Sequence, residues 1–139
     1  MRLSNIRRRV AYCFVGVEQA SKLVAAYYTL ASASLPMTDL PAELSRKLPR
    51  YASVPAALIG RMAVDRNFQG RGLGAAMLAD AIQRVLAAAP TVYAFLVDAK
   101  DERAAAVYRH HGFIPVAGRP RTLFLPVGTA LTQVRHGRG

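Results

Sequence analysis

Cysteine is nearly absent: Cys13 is the sole thiol in 139 residues. One thiol excludes a disulfide framework and any metal site built from cysteines. It lies in the run Ala11-Tyr12-Cys13-Phe14-Val15-Gly16-Val17, where a small buried hydrophobe is the ordinary role. Acidic residues are scarce too, 8 against 19 lysines and arginines, for a net charge of +11. That excess favours phosphate-rich partners, nucleic acid among them. A surplus of arginine over lysine, with abundant alanine, gives it an equally plain compositional origin. No apolar run is long and clean enough to span a bilayer. Arg7-Arg8-Arg9 ahead of an apolar run has the outline of a signal peptide, but the run is short, Glu18 and Lys22 break the stretch behind it, and no cleavage site lies close by. The expectation is a cytoplasmic chain with no membrane contact and no metal. Its length, with 53% hydrophobic residues, suits one domain with a core.

What is present is a glycine-rich loop, Gln69-Gly70-Arg71-Gly72-Leu73-Gly74. Residues 57–64 before it form an apolar run that reads as a buried strand, and 75–86 after it read as a helix. Strand, glycine loop and helix start make an anion site, because glycines admit the ligand and the first N–H groups of the helix point at it. No Lys-Ser or Lys-Thr comes after it, which excludes a P-loop. A dinucleotide fingerprint matches at Gly70, Gly72 and Ala75, with Asp98 placed for a ribose. Against it, residues 65–69 separate strand from glycine where a tight turn is wanted, and too little chain remains after Asp98 for further βαβ units. The third candidate is Q/R-x-x-G-x-G/A, met by Gln69, Gly72 and Gly74.

Along the chain, Met1–Arg9 is short and basic, the end of a helix or a frayed arm. Residues 10–18 and 22–31 read as strands of an antiparallel hairpin. Tyr27 and Tyr28 on the second are either cross-strand packing or acceptor-site residues. Pro36, Pro41, Pro49 and Pro55 punctuate the next segment, which allows a helical turn or two over 42–48. Arg46, Lys47 and Arg50 make it basic, either as a solvated face or as a ridge for RNA. The helix after the loop puts Leu73, Met77, Leu78, Ala81, Ile82 and Val85 on one face, with Asp80, Gln83 and Arg84 outside. Asp80 and Arg84 form an i,i+4 pair. Pro90 stops it, residues 91–97 are a strand parallel to 57–64, and Asp101 caps a helix through about His110. Gly112 suits a left-handed helix end. Residues 113–116 and 122–126 are short strands. The expected division is a single domain over 1–130 and a disordered tail over 131–139.

Ala104-Ala105-Ala106-Val107-Tyr108-Arg109-His110-His111-Gly112-Phe113 supplies the pattern A-x-x-x-Y-x-x-x-G-F. Together with the Gln69–Gly74 loop, one strand earlier, it resembles the GNAT N-acetyltransferase family over residues 58–113. Tyr27-Tyr28-Thr29-Leu30, Leu48-Pro49-Arg50-Tyr51, Val54-Pro55 and Gly60–Asp65 sharpen the resemblance toward the acetyltransferase toxins of bacterial toxin–antitoxin pairs. The fold this implies is α/β (α+β): a central, mixed, twisted sheet with two splayed parallel strands and flanking helices. The implied activity is acetyl transfer from acetyl-CoA to the amino group of aminoacyl-tRNA, with neutralisation by a ribbon–helix–helix antitoxin. A homodimer is left open. By resemblance the pantetheine arm lies beside Met62, Ala63 and Val64. The pyrophosphate lies against Gln69, Gly70, Arg71, Gly72, Leu73, Gly74 and Ala75, and Tyr108 protonates the departing sulfur. Arg46, Lys47, Arg50 and Arg109 would meet RNA.

The central strand carries no glutamate to act as general base, and neither Asp65 nor the His110-His111 pair is a strong substitute. An α-amine titrating at about 7.7–8.0 needs less help than a lysine at about 10.4, so the gap argues for an α-amine acceptor. Relatives of this kind carry a strand and a helical pair before the first hairpin; here those elements are expected to be missing, as in a truncated chain. A small-molecule or protein amine, or a non-catalytic acyl-CoA-binding role, stays open at this point.

Overall fold

The computed structural model describes residues 2–7, 12–48, 52–70, 72–88 and 91–137. Its first two strands, Arg2–Arg7 (β1) and Tyr12–Val17 (β2), run antiparallel, with Arg2 opposite Val17 and Arg7 opposite Tyr12. Residues 2–7 are therefore a strand rather than a helix end or an arm, and a strand stands before the hairpin where none was expected. So short a segment carries no periodic signal; the open edge of β2 decides its state by satisfying backbone groups.

β2 returns as Val24–Pro36 (β3) through a turn closed by Glu18 N–H to Leu23 C=O (2.9 Å) and Lys22 N–H to Glu18 C=O (2.8 Å). Lys22 holds a φ of 64° there. A 3-10 turn over Met37–Asp39 and a single helical turn, Ala42–Ser45 (α1), come next. The long strand Ser53–Val64 (β4) then pairs with β3. A second 3-10 turn, Arg66–Phe68, leads to the helix Leu73–Ala88 (α2). Strand Ala94–Asp98 (β5), helix Glu102–His110 (α3), strands Ile114–Val116 (β6) and Arg119–Pro126 (β7), and helix Val127–Gly137 (α4) complete the order. Residues 131–137 were expected to be a disordered tail and are instead helical. Ala130, 1% exposed, docks α4 on the core, and Val127 N–H bonds to Tyr93 C=O at 2.8 Å.

One sheet holds all seven strands in the order β1-β2-β3-β4-β5-β7-β6. Every pair is antiparallel except β4 with β5. Both faces are covered along the middle strands, so apolar residues alternate between two clusters rather than with polar ones. Ala57 and Ile59 of β4, Phe95 and Val97 of β5, and Leu123 and Leu125 of β7 meet Met77, Leu78, Ala81, Ile82 and Val85 of α2, with Ala105 of α3 and Ala130 of α4. Val54, Ala56, Ala94 and Phe124 point the other way, toward Leu35, Leu40 and the partly buried Leu44 and Leu48.

Candidate active site

β4 and β5 pair from Ala56↔Ala94 to Ile59↔Val97 and then part. β4 continues through Val64 with its other edge on β3, reaching Val64↔Ala26, while Asp98 turns to Thr122 of β7. Residues 60–64 therefore have a strand on one side only. The register shows why. Thr29 pairs with Gly60 and Tyr27 with Ala63, so Tyr28 alone faces two residues of β4, Arg61 and Met62. That is a bulge, which bends and twists its strand. Here it turns the end of β4 away from β5. Gly60 belongs to the same design: a Cβ there would come within 2.8 Å of Thr29 Oγ1.

The loop after β4 is built before any ligand arrives. Asp65 N–H reaches Ala25 C=O at 2.7 Å, and the Asp65 carboxylate accepts from Asn67 N–H at 2.9 Å. Phe68 is buried under it at 6% exposure. Gln69 donates from Nε2 to Val64 C=O at 3.3 Å, tying the loop to the strand end. That amide is used inside the protein, and so is the Val64 carbonyl. The Asp65 carboxylate thus caps the turn, and the Asp98 carboxylate accepts from Thr122 Oγ1 at 2.9 Å.

Gly70 and Gly72 take φ of 81° and 74°, the left-handed region that glycine enters without strain. Gly72 then starts α2, accepting from Ala76 N–H at 3.1 Å. The N–H groups of Leu73, Gly74 and Ala75 precede any acceptor within the helix. A Cβ at Gly72 or Gly74 would meet nothing within 4 Å, so this helix start is open to a ligand. Arg71 lies outside the described residues.

Tyr108 is on α3, which leaves the C-terminal end of β5 through Asp101; the Asp101 carboxylate caps it, accepting from Ala104 N–H at 2.8 Å. The Tyr108 ring packs edge-on against Phe113, centroids 5.5 Å apart, and Phe113 N–H returns to Tyr108 C=O at 3.1 Å. Burial pushes its hydroxyl above the usual tyrosine range, so it holds its proton. Tyr28, by contrast, is fully buried, stacked on Phe14 at 5.0 Å and hydrogen-bonded to Asp80; it belongs to the core, while Tyr27 stays 37% exposed.

The basic residues divide. Arg46 is exposed, its Nε donating to Ala42 C=O at 3.2 Å, and Lys47 is exposed beside it. Arg50 lies outside the described residues. Arg109 is held by Glu102 at 2.7 Å, two turns back on α3. Among the described residues no group of three His, Cys, Asp or Glu side chains could hold a metal. No helix there is long and apolar enough to cross a membrane. Gln69, expected from the sequence against the pyrophosphate, instead anchors the loop; the sequence did not announce the Phe68 anchor, the β4 bulge or the Tyr28–Asp80 bond, although Phe68 is a lone large apolar residue in a polar loop.

Residues 37–115 match the model of the acetyltransferase (GNAT) domain. The chain belongs to that family. The matched part of the GNAT domain holds β4, the loop, α2, β5 and α3 together. The chain is 42% identical to the tRNA-acetylating toxin of Mycobacterium tuberculosis over 80% of its own length and 66% of the relative's. It is 31% identical to the probable toxin TacT of Sinorhizobium fredii, over 84% of this chain and 69% of that one. It thus spans about two thirds of these relatives. Its fold matches AtaT complexed with acetyl-methionyl-tRNAfMet at a TM-score of 0.83 and 29% identity, over 91% of this chain and 76% of AtaT. AtaTR bound with AcCoA matches at 0.72 and 28% identity over 91% and 76%.

Proposed function

We propose that this chain is an acetyl-CoA-dependent N-acetyltransferase that acetylates the α-amino group of aminoacyl-tRNA in the cytoplasm, and so acts as a translation-blocking toxin. One observation carries the cofactor half: pairing between β4 and β5 ends at Ile59↔Val97, and the same β4 leads into an open helix start. A one-sided strand end offers backbone groups along Met62, Ala63 and Val64 to the amides of pantetheine, except the Val64 carbonyl, which Gln69 holds. The N–H groups from Gly70 to Ala75, with Arg71, suit the pyrophosphate. Gln69 serves by holding this loop on the strand end.

The α-amine nitrogen attacks the thioester carbonyl carbon, the C–S bond breaks, and the acetyl group becomes an amide. The sulfur leaves with the bonding pair and takes the proton of Tyr108. The proton of the attacking amine leaves to water, which suffices for a group that is partly neutral near pH 7.7–8.0, roughly the ordinary α-amino range. Tyr108 regains its proton from solvent. Arg46, Lys47 and Arg50 meet tRNA phosphates; Arg109, already paired with Glu102, is a weaker contact. The likeness to a tRNA-acetylating toxin and to AtaT supports this acceptor. The toxin reading brings with it a ribbon–helix–helix antitoxin as partner.

The test is transfer of labelled acetyl from acetyl-CoA to charged tRNA, with uncharged tRNA and polyamines as controls. Label on charged tRNA alone is expected. Equal labelling of uncharged tRNA, or labelling of polyamines only, overturns the acceptor.

A further inference from the structure

α2 carries the proposed pyrophosphate site at its start, and β4 carries the proposed pantetheine site at its end. One acetyl-CoA must touch both, so the position of the helix along the sheet matters as much as either half. The packing of α2 is apolar and centred on a small residue, Ala81, with Met77, Leu78, Ile82 and Val85 around it. Such packing resists separation but is non-directional, and resists sliding weakly. Among the described residues one hydrogen bond joins α2 to the sheet, from the Tyr28 hydroxyl to Asp80 Oδ2.

Its place is specific. Tyr28 is the β3 residue that faces the two-residue bulge of β4, where the strand leaves β5. Asp80 stands two turns into α2, roughly 10 Å along the axis from its first residue. Both ends of the bond are themselves held. Arg84 Nε donates to the same Asp80 oxygen at 2.8 Å, and its guanidinium carbon lies 4.4 Å from the Phe14 ring centroid. Phe14 in turn stacks on Tyr28, with 19° between the rings. Burial first, then Asp80, pushes the Tyr28 hydroxyl far above the usual tyrosine range, so it remains a donor.

We infer that Tyr28 is a positioning residue for the acetyl-CoA site: its bond to Asp80 pins α2 at the spacing from the bulged end of β4 that one cofactor molecule can bridge. The inference rests on the proposed function. Tyr28 is buried and acts through α2.

Loss of the pin leaves each half-site intact and spoils only their distance, and that has its own signature. Tyr28→Phe keeps the ring, and Arg84 still satisfies Asp80. Calorimetry should show acetyl-CoA binding weakened by about tenfold, a loss of about 1.4 kcal/mol. Binding of 3′-phospho-ADP, which reaches only the loop and helix start, should be unchanged. Asp80→Asn keeps an oxygen for Tyr28 and should retain affinity for acetyl-CoA. Should Tyr28→Phe fail to fold, Asp80→Ser cuts the same bond from the helix side and is read the same way. Undiminished acetyl-CoA affinity in the severed variant overturns the inference. So does a parallel loss of both ligands, which marks a merely structural residue. A wild-type chain that binds neither ligand overturns the proposed function itself.

Discussion

In the proposed mechanism Tyr108 is the one side chain with a proton to transfer. Its burial keeps the hydroxyl protonated, the form an acid needs. Tyr108→Phe should hold acetyl-CoA affinity while single-turnover transfer falls by about 10²–10⁴; wild-type turnover would remove Tyr108 from the mechanism. A raised value also delays loss of the proton on the alkaline side. The rate should therefore show no decline from this group below about pH 10, the ordinary tyrosine value. Tyr28 makes the corresponding statement about stability. Its hydroxyl is raised in the folded chain, by burial first and Asp80 second. The unfolded chain can ionise where the folded one cannot. The contribution is thus complete below about pH 10 and drains away as pH climbs past it. Urea unfolding across that pH should show a steeper alkaline loss for wild type than for Tyr28→Phe, and equal slopes would contradict the assignment.

Elements show which parts of the fold were readable. The buried side of α2, the Asp80–Arg84 pair, the Asp101 cap and the left-handed Gly112 at φ 95° all arise from spacing along one chain. So did the antiparallel hairpin and the parallel pairing of β4 with β5. The unread features need a second chain segment: β1 takes its state from the edge of β2, α4 from its dock on the core, and the β4 bulge from a mismatch with β3. Tyr28 shows the limit well. Its sequence neighbour Tyr27 is chemically identical, and only strand pairing sends one to solvent and the other under α2. Glycines at the start of α2 can now be told apart. Gly74 has an ordinary φ and open space, so Gly74→Ala should gain up to about 1 kcal/mol in the helix. Gly74→Gln, by contrast, should abolish acetyl-CoA binding without unfolding the chain. Gly72→Ala should lose about 1–2 kcal/mol, because φ is 74°. At the hairpin turn the sign reverses: Lys22→Gly should gain about 1 kcal/mol by relieving φ 64°. Denaturant midpoints at constant slope check all three stability changes, and a destabilised Lys22→Gly would mean the turn is not strained.

For the molecule as a whole, charge is the property a tRNA would meet first. With a net +11, binding should weaken steeply with salt as phosphate contacts release counterions. Replacing Arg46, Lys47 and Arg50 with Ala should flatten the log–log slope by about 0.9 for each phosphate no longer neutralised, and lower affinity for all tRNAs alike. Acetyl-CoA binding should stay as it was, and an unaltered salt slope would put the RNA on another face. The parting of β4 from β5 bears on how such a protein can change over generations. Main-chain groups at Met62, Ala63 and Val64 are offered by nearly any residue type, so these positions can drift while the proposed cofactor contact persists. Proline is the exception, having no N–H to offer. Chains that escape toxicity by point mutation should therefore collect their lesions at the glycines of the loop and at Tyr108, leaving the strand that lines the gap almost unmarked.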